Sequence, residues 1–203
     1  MLIIMILYKM DTIRSSYKNK DIDYGKLIET VTYSINPKNI LEIGILDGYS
    51  LESFQKGSSK NTVIKAFDIF DDFNGNHSNE REIKELFKQH KNVEIGYGDF
   101  FKLHEDNTTK LLDNSIDIIH IDIANNGDTY DYAIKHYMPK LSPDGIMILE
   151  GGSEERDEVS WMVKYNKPKI QPILQKYNEL YNIKIIGTLP SITLIKKIIN
   201  IFY

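Results

Sequence analysis

The sequence predicts an α/β fold in which a mostly parallel, doubly wound sheet carries helices on both faces. Short apolar segments alternate with stretches of helical periodicity between residues 24 and 150. This alternation is typical of parallel sheets with crossover helices. Two further strands, at residues 183–187 and 191–195, are separated by a turn that contains glycine and proline. We expect them to form an antiparallel hairpin added to the parallel sheet.

The predicted elements are bounded by ordinary start and stop signals. A helix over residues 24–35 ends at Asn36-Pro37, and Ser153 is expected to cap a helix whose first turn is acidic. The Glu154-Glu155-Arg156 group of that turn is expected to be exposed. Further helices are predicted over residues 51–55, 79–90, 130–137 and 173–181, and further strands over residues 40–43, 63–68, 93–100, 115–122 and 146–150.

Residues 39–50 form the segment around which the rest of the chain is arranged. A short apolar strand runs into a turn that holds Gly44 and Gly48, and a helix then begins. Gly44 can adopt backbone angles that are closed to other residues, and Gly48 would let a ligand approach the main chain. Glu42 is expected beside this turn as an acceptor for a positively charged ligand group. Its carboxylate would repel a pyrophosphate, and one glycine of Gly-x-Gly-x-x-Gly is missing, so the pattern argues against NAD.

Acidic residues occur at the ends of the strands that follow. Asp68, Asp99, Asp122 and Glu150 each lie at or near the end of a predicted strand. The carboxyl ends of parallel strands meet at one edge of a sheet, so we expect these side chains to lie near one another. Asp68 lies 20 positions beyond Gly48, where a carboxylate can bind both hydroxyls of a ribose.

Composition narrows the class of protein. The 203 residues include no cysteine and carry a formal net charge of −4. This suits one domain in a cytoplasmic setting and gives no reason to expect a nucleic-acid partner. The apolar residues 1–7 are too short to span a bilayer. They are expected to form a strand or a docked segment within an N-terminal extension of residues 1–23, which precedes a single domain of residues 24–203.

The ordered set of motifs resembles class I S-adenosylmethionine-dependent methyltransferases. It consists of Glu42-x-Gly44-x-x-x-Gly48, Asp68, Gly98-Asp99-Phe100, the segment 117–122 and the turn Leu-Ser-Pro-Asp-Gly at residues 141–145. The resemblance covers residues 24–150 and implies a Rossmann-like fold, with the C-terminal hairpin as the family's reversed last strand. The strand end Ile-His-Ile-Asp and the tyrosine-rich helix after it are closest to small-molecule or sugar O-methyltransferases of the macrocin type.

The resemblance also implies the roles of individual residues toward S-adenosylmethionine. Asp68 would bind the ribose hydroxyls and Asp99 the adenine amine, with Phe100 or Ile69 packing on the base. Asp122 would lie near the amino group of the cofactor or near the substrate. The implied cofactor-binding residues are Glu42, Gly44, Gly48, Asp68, Ile69, Asp99, Phe100 and Asp122.

The candidate catalytic residues are Asp122, Glu150 and His120. Either carboxylate could remove the proton of a hydroxyl acceptor, whereas His120 either approaches the site or is a buried, satisfied strand histidine. Asp122 and Glu150 could also share a magnesium ion through hard oxygen ligands. Metal-using relatives carry two consecutive metal-binding residues after the fifth strand, but this chain has Glu150-Gly-Gly. This departure argues against a metal site and leaves magnesium as an open alternative.

The expected function is methyl transfer from S-adenosylmethionine to oxygen on a small molecule or glycan. The alternative is a binding protein that keeps the cofactor site without its chemistry and serves as a sensor or an assembly subunit. This alternative arises because relatives place a histidine before the tyrosine-rich helix, and the chain has none there. A nucleic-acid methyltransferase is disfavoured because there is neither an Asn-Pro-Pro-Tyr-like motif nor a basic stripe.

Overall fold

The computed structural model describes residues 13–70 and 78–198. The strands in this part of the chain are β1 Asn39–Ile43, β2 Val63–Asp68, β3 Val93–Tyr97, β4 Ile116–Ile121, β5 Leu141–Glu150, β6 Tyr181–Gly187 and β7 Ser191–Lys197. The helices in the same ranges are α1 Gly25–Ile35, α2 Tyr49–Gly57, α3 Glu80–Phe87, α4 Phe100–Leu103, α5 Gly127–Tyr137, α6 Glu154–Asp157, α7 Ser160–Lys164 and α8 Gln171–Tyr177.

The strands form one sheet in the order β3-β2-β1-β4-β5-β7-β6. β1 pairs in parallel with β2 on one side and with β4 on the other. β7 runs antiparallel to both β5 and β6. The strand order reverses at β1, so the carboxyl ends of β1, β2 and β4 meet at a switch point of the kind where open α/β sheets bind ligands. The predicted mostly parallel sheet with an antiparallel C-terminal hairpin is confirmed.

Both faces of the sheet are covered by helices. Ile118 and Ile119 are successive residues of β4, and neither has exposed surface. Ile118 belongs to the apolar cluster that includes Phe54 of α2, whereas Ile119 belongs to the cluster that includes Tyr137 of α5. Because successive strand residues point to opposite faces, this double burial explains why the inner strands have continuous apolar runs and no polar alternation.

The third and fifth strands differ from the sequence prediction. β5 begins at Leu141, not at Ile146. Ile116 pairs with Leu141 while Ile118 pairs with Ile146, so the predicted turn lies in a β-bulge within the strand. The third strand ends earlier than predicted because the side chain of Asp99 accepts a hydrogen bond from the backbone N–H of Phe101 at 3.0 Å and begins α4.

Two predicted helix boundaries are confirmed. α1 ends at Asn36, which has a φ of 49° and donates its backbone N–H to the carbonyl oxygen of Thr32. The hydroxyl of Ser153 accepts a hydrogen bond from the backbone N–H of Arg156 at 3.1 Å and caps α6. The sequence signals for these two helix ends depend on a few neighbouring residues. Tertiary packing therefore does not change them.

Some sequence predictions lie outside the described residues. They are the strand or docked segment at residues 1–7 and most of the loop predicted at residues 69–78, of which 71–77 are not described. No helix in residues 13–70 or 78–198 is long and apolar enough to cross a membrane.

The close packing of α1 on α2 provides a test of the fold. A Cβ at Gly57 would lie 2.4 Å from the carbonyl oxygen of Glu29 and 2.7 Å from Cβ of Thr32. Both atoms belong to α1, so the Gly57→Ala substitution would force the helices apart. We expect it to lower the free energy of unfolding by about 1–3 kcal/mol, measured by urea denaturation.

The matched control is Gly96→Ala in β3. There the nearest atom to an added Cβ is Cε1 of Phe67 at 3.6 Å, an ordinary contact distance. We expect a change below about 1 kcal/mol. Equal losses in the two variants would contradict the assignment of the Gly57 effect to helix contact.

Candidate functional site

The turn after β1 is shaped by its neighbours in the sheet. Gly44 has a φ of 92°, and a Cβ at this position would lie 1.9 Å from the backbone oxygen of Asp122. Gly48 has a φ of 82°, and its missing side chain makes room for the ring of Phe87, whose Cε2 would lie 2.8 Å from an added Cβ. Both glycines are therefore required by packing and backbone conformation. Phe87 fills the space that a side chain at position 48 would take, and the approach of a ligand to the main chain of Gly48 stays a prediction.

Asp68 connects β2 to this turn. One carboxylate oxygen accepts hydrogen bonds from the backbone N–H groups of Ile45 at 2.7 Å and Leu46 at 3.3 Å. The other accepts the backbone N–H of Phe70 at 2.9 Å. The side chain is half-buried, and a carboxylate can accept about four hydrogen bonds. Asp68 therefore supports the turn and keeps acceptor capacity for a ligand hydroxyl.

Glu42 and His120 lie below the sheet edge, where neither has exposed surface. The hydroxyl of Ser50 donates to Oε1 of Glu42, and Nδ1 of His120 lies 3.3 Å from the same oxygen. On its other side the His120 ring contacts the hydroxyl of Tyr17, 2.7 Å from Nε2. The expectation that Glu42 stands open beside the turn is corrected, because these neighbours enclose it. His120 likewise has no access to an acceptor and supports the edge from below.

Asp122 follows the last residue of β4 and is only half-buried. Its backbone N–H donates to the carbonyl oxygen of Ile43 at 2.9 Å, which places it next to the end of β1. The hydroxyl of Ser16 donates to Oδ2 of Asp122. Burial, followed by the charge of Glu150, raises the pKa of Asp122 to about 7, against the opposing effects of His120 and Ser16. Asp122 thus has the protonation behaviour of a general base near neutral pH.

Glu150, at the end of β5, is held by Arg156. Oε1 accepts a hydrogen bond from Nε of Arg156 at 2.7 Å, and Oε2 accepts one from Nη2 at 2.9 Å. Glu150 is 5% exposed and Arg156 is 6% exposed, so the expectation of an exposed Arg156 is wrong. The side chain of Arg156 reaches from α6 to the end of β5, where it gives the buried carboxylate of Glu150 a partner. Glu150 is tied up in this pair, which leaves Asp122 as the better candidate for proton removal.

A magnesium ion shared by Asp122 and Glu150 does not fit this arrangement. Each carboxylate oxygen of Glu150 already accepts a hydrogen bond from a guanidinium nitrogen of Arg156, and the positive charge of that group would repel a cation. Among the described residues, no group of three or more histidine, cysteine or acidic side chains is placed to hold a metal ion.

The residues predicted around the adenine lie at the ends of β2 and β3. Asp99 accepts the backbone N–H of Phe101 and lies 3.1 Å from Nζ of Lys102. Phe100 is a core side chain, 3% exposed, and its ring stacks on that of Tyr137 with centroids 5.2 Å apart. Phe100 is therefore part of the core, which argues against its packing on a base, and the alternative, Ile69, which is half-buried after β2, stays a prediction.

Residues 14–17 reach the same edge from the N-terminal side. Arg14 forms an ion pair with Asp47 in the glycine turn, with Nη2 2.6 Å from Oδ1. Next to it, Ser16 binds Asp122, and Tyr17, 1% exposed, binds His120. The sequence places this stretch in the N-terminal extension of residues 1–23, and no motif marks it. The division at residue 23 stays a prediction, but residues of the 14–17 segment contact the candidate site.

Solved structures resemble this fold at low sequence identity. An O-methyltransferase from Bacillus cereus in complex with SAH has a TM-score of 0.67 and 15% identity, over 95% of this chain and 88% of that one. An SAH-bound methyltransferase from Podospora anserina has a TM-score of 0.56 and 19% identity, over 86% and 78%. A methyltransferase from Geobacter sulfurreducens has a TM-score of 0.57 and 14% identity, over 85% and 77%. Comparison with curated protein sequences found no match.

The sequence also matches a protein family directly. The family described as Methyltransferase domain covers residues 41–150, which is more than half of the chain. The matched region runs from β1 to the end of β5 and includes the glycine turn, Asp68 and Asp122. The chain therefore belongs to the methyltransferase-domain family, as the class I S-adenosylmethionine-dependent methyltransferase that its sequence predicts.

Proposed function

We propose that this protein transfers the methyl group of S-adenosylmethionine to an oxygen atom of a small molecule or glycan. The observation that carries the choice of oxygen is Asp122, a half-buried carboxyl group with a pKa of about 7 beside the glycine turn. A hydroxyl acceptor must lose a proton when it takes a methyl group, and such a carboxylate can accept it. The Bacillus cereus structure, which is an O-methyltransferase, supports the same choice.

The cofactor would be bound where β1 and β2 end. Asp68 has acceptor capacity for a ribose hydroxyl, and Ile69 offers an apolar surface for the base. Asp99 lies at the end of the neighbouring strand for the adenine amine. S-Adenosylmethionine supplies an activated methyl group and carries positive charges on its sulfur and amine, so an edge rich in carboxylates attracts it. The SAH-bound neighbours support this cofactor.

Asp122 and residues 14–17 would act on the acceptor. Methyl transfer is an in-line displacement, so the protein mainly aligns the acceptor oxygen and excludes water. Asp122 takes the proton while Ser16, bonded to it, holds the carboxylate in one orientation. The macrocin-type preference for sugar or related acceptors stays a prediction.

A second candidate function is favoured by one specific feature. Ser16 already occupies one oxygen of Asp122, and Glu150 is fully engaged by Arg156. A protein that binds the cofactor as a sensor without transferring methyl groups would tolerate both contacts. The two functions differ in the outcome of the Asp122 experiment below, since only the enzyme loses a measurable transfer rate.

The role of Asp68 can be tested by binding. Asp68→Asn removes the negative charge and one acceptor oxygen, so we expect the affinity for S-adenosylhomocysteine to fall at least about tenfold in calorimetric titration. Asp117→Asn is the matched control. Asp117 likewise accepts hydrogen bonds from backbone N–H groups, those of Lys38 and Asn39, but it lies at the start of β4, on the opposite edge.

The comparison separates binding from stability. Both substitutions weaken hydrogen bonds to backbone and should lower the melting temperature by similar amounts. Only Asp68→Asn should weaken binding to the folded protein. Equal affinity in the two variants would refute the ribose role of Asp68.

The role of Asp122 can be tested by rate. Asp122→Asn is expected to lower methyl transfer at least about 100-fold, because a general base contributes roughly 10²–10⁴. The assay follows a labelled methyl group from S-adenosylmethionine to a hydroxyl compound found by screening. An undiminished rate in Asp122→Asn would exclude Asp122 as the base.

The pH dependence gives an independent check. Only the deprotonated carboxylate accepts a proton, so kcat/KM should rise as the pH increases through about 7. The hydrogen bond from Ser16 lowers the pKa of Asp122, so Ser16→Ala should move this rise to higher pH. Ser34→Ala is the control, since the Ser34 hydroxyl bonds to the Thr30 carbonyl on the surface of α1. A profile that Ser16→Ala does not move would contradict the contact.

A further inference from the structure

The buried ion pair of Glu150 and Arg156 is the most unusual feature of the sheet edge. Both side chains are more than nine-tenths buried, and the pair is bidentate. Breaking such a pair would leave a buried charge without a partner. The pair is therefore a structural element of the sheet edge. The ion pairs on the helix surfaces are exposed and do not have this role.

Several neighbours hold the guanidinium in place. Nη2 also donates to the backbone oxygen of Asn125 at 3.4 Å, and Cζ lies 5.2 Å from the ring centroid of Trp161. The backbone N–H of Arg156 is bound by Ser153, which fixes the start of α6. Arginine suits this position because its planar fork matches a carboxylate and stacks on an aromatic ring.

The register of the sheet places the pair beside Asp122. Ile121 of β4 pairs with Leu149 of β5, so the next residues, Asp122 and Glu150, lie side by side on adjacent strands. The charge of Glu150 raises the pKa of Asp122, and that of Arg156 lowers it. Two adjacent carboxylates at a strand edge need positive charge nearby, and hard divalent cations are one usual source.

We infer that the guanidinium of Arg156 takes the place of a divalent cation in this site, neutralising Glu150 and positioning it beside Asp122. Arg156 is thus a positioning residue, and methyl transfer by this chain requires no divalent metal. The part of the inference that concerns methyl transfer rests on the proposed function. The charge arrangement itself can be tested without any methyl acceptor.

The test is a titration with Mn²⁺ alone, in which the electron paramagnetic resonance signal of the free ion reports binding. We expect the native chain to bind no Mn²⁺ through Glu150, so the Glu150→Gln substitution should leave its Mn²⁺ titration unchanged. Arg156→Met removes the guanidinium and leaves two carboxylates side by side, so it should bind Mn²⁺ at least about tenfold more tightly, the effect of roughly one pKa unit from a neighbouring charge. The double variant Arg156→Met, Glu150→Gln should lose that gain.

The matched control is Lys176→Met, which also removes one positive charge. Lys176 forms an exposed ion pair with Asp131, with Nζ 2.7 Å from Oδ1, and its substitution should leave Mn²⁺ binding unchanged. An equal gain in Lys176→Met would show a general charge effect and overturn the inference. Folded Arg156→Met without increased Mn²⁺ affinity would also overturn it.

If Arg156→Met does not fold, measurements on the native chain still test the inference. Native binding of Mn²⁺ that is lost in Glu150→Gln would overturn the replacement of the cation by Arg156. A methyl-transfer rate that a chelator abolishes and Mg²⁺ restores would overturn it as well. Failure of the native chain to bind S-adenosylhomocysteine would instead refute the proposed function, and the Mn²⁺ results would stand separately.

Discussion

The structure depends on the parallel pairing of β1 with β2 and β4, which brings three strand ends to one level. The backbone N–H of Gly44 donates to the carbonyl oxygen of Phe67, and that of Asp122 donates to the carbonyl oxygen of Ile43, each at 2.9 Å. These bonds continue the ladders past the last strand residues. Gly44 then passes so close to Asp122 that no side chain fits between them. These backbone contacts therefore set the relative positions of the glycine turn, Asp68 and Asp122.

The acidic residues at this edge have different fates because their surroundings differ. Glu42 is enclosed by Ser50 and His120, and Glu150 is neutralised by Arg156. Asp68 is satisfied by backbone N–H groups but stays half-buried. Asp122 is partly exposed, and its pKa is raised to about 7. Partial exposure and a pKa near the working pH favour a general base, so burial and pairing leave Asp122 as the candidate base among these acids.

The N-terminal residues complete the edge from outside the matched family region. Arg14 binds the glycine turn through Asp47, Ser16 binds Asp122, and Tyr17 reaches the buried His120. The residues in these contacts are separated by 33 to 106 positions in the sequence. Burial raises the pKa of Tyr17, so its hydroxyl stays protonated and can donate to the histidine. The candidate site therefore combines N-terminal residues with the glycine turn and the end of β4, which are distant from them in the sequence.

The sequence alone determined the order of strands and helices, the hairpin and the location of the candidate site at the strand ends. It could do so because apolar periodicity, glycine turns and helix caps act over a few residues, as Asn36 and Ser153 show. The tertiary structure decided which acids are accessible. The sequence predicts Arg156 to be an exposed residue of an acidic helix start and places Ser16 in the N-terminal extension. Both side chains nevertheless reach the edge of the sheet. Such contacts depend on burial and on partners distant in sequence, and neither leaves a periodic or local signal along the chain.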